Sequence, residues 1–351
     1  MMVRRYSRRK IIGHVGGLAL ATPLLSLAAC GDKPSDDLVS LSGSTMGTSY
    51  TVKVLSRATD QDLHAVGNEI DGALTGVDRR MSTYRSDSEL SLFNVAGRDV
   101  EVPLSGDTLA VIEEAGRLNL LTEGSFDPTI GPIVDLWGFG PEENRQQVPL
   151  AQKISDLRPK VGFDKIAINS AAPSLSKKSE GVRLDLSGIA KGYGVDLVAS
   201  VLDARGIDQY LIEVGGELRS RGLGPGDRPW RVGIEKPIAG AQDLQQIVEL
   251  ENAAMATSGN YRLFFEQQGQ NYSHIIDPGS GRPVEHSLAS VTVVAETTMQ
   301  ADALSTALLV MGPKKAMKLA ANHNIAAFFI TGSQGSFAES PSPAFEARYL
   351  A

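Results

Sequence analysis

The chain has 351 residues, 42% of them hydrophobic, and a formal charge of −7. That length allows a large buried core able to divide into two lobes, while the acidic balance argues against nucleic acid as a partner. A single cysteine, Cys30, excludes an intrachain disulfide and a thiolate-held iron–sulfur cluster, and the five histidines are scattered without zinc-site spacing.

The chain opens MMVRRYSRRKIIG, five basic residues and no acid, followed by an apolar run from Ile11 to Ala29 and then Cys30. This is the pattern of an export signal rather than of a fold element. SRRKII resembles a twin-arginine signal and LAAC a lipobox, implying cleavage before Cys30 and lipid on that cysteine. An uncleaved anchor helix is the alternative, disfavoured by Gly16, Gly17 and Pro23. Residues 1–29 are read as a Tat-like export signal with lipobox. Residues 30–40 are the lipidated cysteine and a tether containing the polar run GDKPSDD, and residues 41–351 are the folded body. Loss of the five leader charges takes the formal charge from −7 to −12. The expected location is extracytoplasmic: a membrane-anchored lipoprotein on the periplasmic side, at the inner membrane. Gly31 after Cys30, in place of an aspartate retention signal, leaves the outer membrane open.

Beyond the tether, strand-like and helix-like periods alternate without a repeat of fixed length, which predicts an α+β or mixed α/β architecture. MGTSYTVKVL alternates as a strand with Tyr50, Val52 and Val54 on one face, and Asp60 to Met81 reads as a helix with Leu63, Val66, Ile70, Leu74 and Val77 along one side. Thr108 to Thr122 predicts a second helix with Val111, Ala115, Leu118 and Leu121 inward, and PEENRQQVPL, residues 141–150, a polar loop. Arg183 to Glu217 reads as a β-α-β-like unit: strand VRLDL, a helix from about Ile189 to Arg205 ended by Gly206, strand YLIEV and a Gly215-Gly216 turn. ADALSTALL is helical, with Leu304, Leu308 and Met311 opposite Asp302 and Thr306, and with Gly312 and Pro313 as its stop. The segment from Gly332 to Pro343 is small and polar and is expected to be a surface loop.

Asp302 and Thr306, four residues apart, share one helix face. A carboxylate beside a hydroxyl offers hard oxygens that suit Mg²⁺ or Ca²⁺ better than zinc, and Mg²⁺ would complete its shell with water and a substrate phosphate. The plain alternative is that Asp302 caps the helix and Thr306 bonds back to a carbonyl. RLDLSGIAKGYGVD sets a Ser187-Gly188 turn before a helix that carries Lys191 in its first turn, an arrangement that attracts anions and lets the Gly188 carbonyl approach a cation. An ordinary turn with a solvated lysine is the competing explanation. Neither GxGxxG nor GxxxxGK followed by Ser or Thr occurs, which argues against Rossmann and P-loop nucleotide sites. GSTMGTSY, residues 43–50, either lines a ligand with its amides or is only a turn. Tyr84 in MSTYRSDSELSLFN either stacks on a flat aromatic ligand or is half-buried packing. GSFDPTIGPIVDLWGFG, with Phe126, Asp127, Pro128 and Trp137, reads as a pocket wall. His274 and Asp277 in SHIIDP precede a glycine-rich turn; a histidine titrates near neutrality and suits a general base, although an isolated one is more often structural.

GSTMGTSY, MSTYRSDSELSLFN, GSFDPTIGPIVDLWGFG, VGFDKIAI, RLDLSGIAKGYGVD, IEVGGEL, SGNY, SHIIDPGSGRP and ADALSTALLVMG stand in the order seen in the FAD:protein FMN transferase family, also called ApbE, over roughly Ser42 to Gly312. The resemblance implies a two-lobed α+β fold, a mixed α/β arrangement with FAD in a cleft between the lobes and magnesium (Mg²⁺) at its diphosphate. It implies transfer of FMN from FAD to a threonine or serine hydroxyl of a target protein, releasing AMP. By motif position, His274 is the catalytic base, and Asp302, Thr306 and the Gly188 carbonyl are the metal ligands. Met46, Tyr84, Phe126, Asp127, Asp185, Lys191, Ser258 and Gly259 are FAD contacts. The family commonly has alanine at Gly188, a departure that matters little if only the carbonyl binds. Asp277 is expected to shape its turn and could also orient His274. The implied acceptors are flavoprotein subunits of membrane redox complexes, reached by a lipid-tethered enzyme. An FAD pyrophosphatase, with water replacing the protein hydroxyl, is the alternative enzyme. A non-catalytic flavin-binding lipoprotein, which would not need His274 or Asp302, is the alternative of a different class.

Overall fold

The computed structural model describes residues 2–6, 37–56, 60–141, 146–240, 243–333 and 336–350. Apart from Met2–Tyr6, the expected export signal lies outside the described residues, as do Cys30 and the tether up to residue 36.

Strand β1 (Met2–Tyr6) and the hairpin β2 (Asp37–Thr45) and β3 (Thr48–Ser56) lead into α1 (Asp60–Met81). The predicted stripe of α1, Leu63 to Val77, is buried throughout, and Tyr50, Val52 and Val54 of β3 face it. Short helices follow: α2 (Glu89–Val95), α3 (Gly106–Leu121), α4 (Gly131–Leu136) and α5 (Ala151–Leu157). They accompany a small antiparallel sheet of β4 (Val102–Pro103), β5 (Ile166–Asn169) and β6 (Ser174–Lys177), in order β4-β6-β5. Next come α6 (Ala190–Ala204), the hairpin β7 (Tyr210–Val214) and β8 (Glu217–Arg221), and the pair β9 (Trp230–Glu235) and β10 (Leu244–Leu250). After β11 (Ala254–Gly259) stand the hairpin β12 (Phe264–Gln267) and β13 (Gln270–Ser273) and the two-residue pair β14 (Ile276–Asp277) and β15 (Arg282–Pro283). The chain closes with β16 (Leu288–Ala295), α7 (Thr298–Asn322), β17 (Ala326–Ser333), β18 (Ser336–Pro341) and α8 (Pro343–Tyr349).

A nine-stranded sheet in the order β1-β2-β3-β7-β8-β11-β16-β17-β18 organises the fold. Its ladders are all antiparallel. One face packs on α1, α6 and α7, while β9, β10 and α8 cover part of the other, so Phe329 and Phe328 of β17 enter different cores. That double cover explains why β16, LASVTVVA, reads as a nearly unbroken apolar run. The lobe built on the small sheet meets the large sheet beside α7, giving the expected two-lobed α+β arrangement.

Several expectations change. VRLDL is extended but joins no ladder beyond one bridge between Arg183 and Ile130, because a side chain takes its backbone. Asn94 Nδ2 donates to the Leu184 carbonyl at 2.8 Å and Asn94 Oδ1 accepts from Leu184 N at 2.7 Å, while Asp185 N donates to Pro128 O at 2.7 Å. Gly312 and Pro313 kink α7 rather than stop it: Gly312 takes φ +73° and ψ 168°, and the helix resumes to Asn322. Nor is the polar face of α7 segregated, since Ala301 through Ser305 and Ala307 through Leu309 are all buried. The Gly332–Pro343 segment supplies β18, an edge strand paired with β17, and starts α8.

Candidate active site

A cavity of about 390 Å³ opens where the small-sheet lobe meets the end of β11 and the first half of α7, a size suited to a small organic ligand. Its walls bring together Tyr84, Phe126, Asp127, Asp185, Gly188, Lys191, Ser258, Gly259, His274, Asp302 and Thr306, residues spread over more than 200 positions of sequence. Met46 is not among them. It sits at the tip of the β2–β3 hairpin with φ +45°, and its Cε lies 3.2 Å from where a Cβ on Gly194 would stand. Its half-buried side chain packs against the cores beside α6, outside the cavity wall. Trp137 stands behind the wall, buried, and donates from Nε1 to Gly281 O at 2.9 Å.

Three aspartates shape the loops of the cavity by bonding to backbone just ahead of them. Asp127 Oδ1 accepts from Thr129 N at 2.8 Å, Asp185 Oδ1 from Ser187 N at 2.8 Å, and Asp277 Oδ1 from Gly279 N at 2.9 Å. Burial pushes the Asp127 pKa upward against its bonds to Thr129. Asp277 is thus the expected turn-former, but it does not orient His274. That work falls to Leu263, whose carbonyl accepts from His274 N at 3.1 Å and from Nδ1 at 3.0 Å. A carbonyl can only accept, so Nδ1 carries the hydrogen and the neutral ring keeps Nε2 as a proton acceptor. Burial lowers the His274 pKa from its ordinary value, which favours that neutral form.

The Asp302 carboxylate is 3% exposed and its Oδ2 accepts from Gly192 N at 3.0 Å, tying α7 to the first turn of α6. Asp302 does not cap α7. Thr297 does so through Gln300 N, and Asp196 adds bonds to Thr298 N at 3.0 Å and Met299 N at 2.9 Å. Thr306 does not bond back to its own helix in the expected alternative manner; its hydroxyl meets Ser258 Oγ at 3.0 Å. The main chain of Gly188 lies beside it, since a Cβ there would stand 3.5 Å from Thr306 Oγ1 and 3.3 Å from Phe126 Cε2. An alanine therefore fits with a few tenths of an ångström of give. The Asp302 carboxylate, the Thr306 hydroxyl and the Gly188 main chain line the same cavity and offer hard oxygens. Among the described residues no cluster of three or more His, Cys, Asp or Glu could hold a metal, so a cation here would rest on this set completed by substrate phosphates, which fits Mg²⁺.

Lys191 points its ammonium at Glu217 Oε1, in a pair that Asp302 also faces. Burial works to lower the Lys191 pKa, but the two carboxylates outweigh it and hold the lysine charged. Burial likewise pushes Glu217 and Asp302 upward, with Lys191 opposing.

Residues 46–329 match the sequence profile of the ApbE family. The chain belongs to the ApbE family. The protein named FAD:protein FMN transferase from Haemophilus influenzae is 42% identical over 346 residues, which cover 96% of this chain and 98% of that one. Among solved structures, the flavin transferase ApbE from Vibrio cholerae superposes with a TM-score of 0.82 at 42% identity, over 90% of this chain and 100% of that chain. The apo flavinyl transferase ApbE of Pseudomonas stutzeri does so at 0.83 with 38% identity, over 91% and 99%.

Within this ApbE site, sequence reasoning missed Glu217, Gly192 and Arg262. Glu217 follows the double glycine of IEVGGEL, so its place opposite Lys191 had a signal in the motif. Gly192 had only the spacing of KGYG: a Cβ on it would meet Thr298 O at 2.4 Å, so the small residue permits the approach of α6 to α7. Arg262, directly after SGNY, carried no signal.

Proposed function

We propose that this chain takes FAD into the cavity and transfers FMN to a threonine or serine hydroxyl of a target protein, releasing AMP, with Mg²⁺ as the required ion. The observation that carries the reading is one cavity holding a histidine with Nε2 available beside a buried carboxylate, a hydroxyl and a charged lysine. In the reaction the target hydroxyl oxygen bonds to the phosphorus on the FMN side while the bond from that phosphorus to the AMP oxygen breaks. His274 Nε2 takes the hydroxyl proton, Lys191 offers positive charge to the diphosphate, and AMP leaves. Asp302, Thr306 and the Gly188 carbonyl would hold the divalent ion. Its contribution when bound is to neutralise charge on the diphosphate oxygens. Tyr84, 74% exposed at the mouth, can cover a flat ring, and Phe126 lies deeper.

The leader pattern supports export of the chain through residues 1–29 and its attachment to the membrane by lipid on Cys30, with residues 41–351 as the transferase domain on the periplasmic side. Acceptor subunits of membrane redox complexes would then lie within reach of the tether.

The test mixes purified protein, FAD, Mg²⁺ and a purified threonine-containing target. Covalent flavin fluorescence on the target in a denaturing gel, matched by one AMP per label, is the expected outcome. Free FMN with an unlabelled target would replace transfer by pyrophosphate hydrolysis.

A further inference from the structure

The large sheet is split beside the FAD cavity. β11 pairs with β16 along its whole length, but with β8 only at Ala254 and Met255, so among the described residues Ala256–Gly259 has no strand on its β8 side. Gly215, Thr257 and Arg262 line both the cavity and a second groove of about 530 Å³. The floor of that groove includes Thr51 and Lys53, which alternate with the helix-facing Tyr50, Val52 and Val54 and therefore lie on the opposite sheet face. One wall is β9. Arg231, Val232 and Gly233 are consecutive and point to alternate faces, so a groove touching all three meets the strand at its edge. Among the described residues β9 pairs only with β10, leaving that edge with unpaired backbone donors and acceptors.

The charges in the groove are uneven. Arg262 is paired with Glu235 at 2.7 Å and Glu213 Oε1 accepts from Gly216 N at 2.8 Å, whereas Lys53 and Arg231 are exposed and have no ion-pair partner among the described residues. Lys53 pairs with Leu211, four residues before Gly215, so the groove reaches the split within roughly 13 Å of extended chain.

Resting on the reading that FMN goes to a protein, we infer that this groove seats the acceptor polypeptide. An extended segment lies along the free edge of β9 with a carboxylate-bearing residue over Lys53 and Arg231, and its hydroxyl reaches the FAD cavity through the split between β8 and β11. A protein acceptor must leave most of its mass outside the cavity, and an open strand edge continuous with that cavity fits an extended chain.

The probe is a purified target protein that the wild-type chain labels with covalent flavin. Lys53→Glu and Arg231→Glu, both on exposed side chains outside the FAD cavity, are combined in one variant and compared with Lys53→Gln and Arg231→Gln. The charge reversal is expected to raise KM for the target about tenfold or more, the neutral pair less, with kcat and KM for FAD kept. An unchanged target KM in the charge-reversed protein overturns the inference, and so does a raised KM for FAD with the target KM unaltered, which would assign the groove to FAD. A wild-type chain that splits FAD yet labels no target removes the transfer reading and this docking with it.

Discussion

The Leu263 carbonyl decides what His274 can do. With Nδ1–H donated to it, the ring offers Nε2 only while neutral, and burial holds the His274 pKa below its ordinary 6.5. With His274 as the proposed base, its protonated fraction, which cannot accept a proton, grows as pH falls through that lowered pKa, so the acid limb of kcat/KM should appear below pH 6.5, with no loss from this group on the alkaline side. A pH–rate profile checks the limb. His274→Ala should slow transfer by about 10²-fold or more, measured by gel fluorescence, and a near-normal rate would remove it from the mechanism. At the carboxylate, Asp302→Ala should abolish Mg²⁺-dependent AMP release and Thr306→Ala should raise the Mg²⁺ concentration needed. Release that stays unchanged in both would move the metal elsewhere.

At the scale of elements, the crossing of α6 and α7 makes the site. Asp196 of α6 caps the start of α7 and is itself held by Arg219, and Gly192 N reaches Asp302 one turn further along. These bonds tie the first two turns of α6 to the first turns of α7. Gly192→Ala would press a Cβ onto Thr298 O, which is backbone and cannot rotate away, so the helices must part. Overpacking of this kind costs about 1–3 kcal/mol. The expected result is a lower melting temperature together with weaker Mg²⁺ dependence; an unchanged melt would show that the crossing tolerates the methyl. A second clamp acts across 90 residues of chain, where the side chain of Asn94 satisfies both backbone groups of Leu184. Asn94→Ala leaves those groups unpaired at a cost of about 1–3 kcal/mol and should raise KM for FAD by loosening the Asp185–Gly188 loop, as kinetics on the folded variant would reveal.

For the whole molecule, no residue before Thr83 lines the FAD cavity among the described residues, and β1 touches the sheet only at the edge of β2. A chain beginning at residue 37 should therefore keep its FAD turnover in solution while losing the proposed attachment to membranes, read by activity in soluble and membrane fractions. Loss of turnover on removing residues 1–36 would give that segment a part in the fold. The sequence by itself determined the bounds of α1, the strand that became β3, the helix of α6 closed by Gly206, and the residue types that gather at the cavity. Those signals are local: periodicity and turn chemistry act within a few residues. Only the tertiary structure decided that VRLDL is held by Asn94 instead of a ladder, that Gly312 kinks α7 without ending it, and that the polar tail completes the sheet as β18. It also decided that Met46 packs on α6 and that Glu217 meets Lys191. Each of these depends on which distant element lies alongside, and spacing along one segment carries no information about the partner that will satisfy its backbone or bury its side chain.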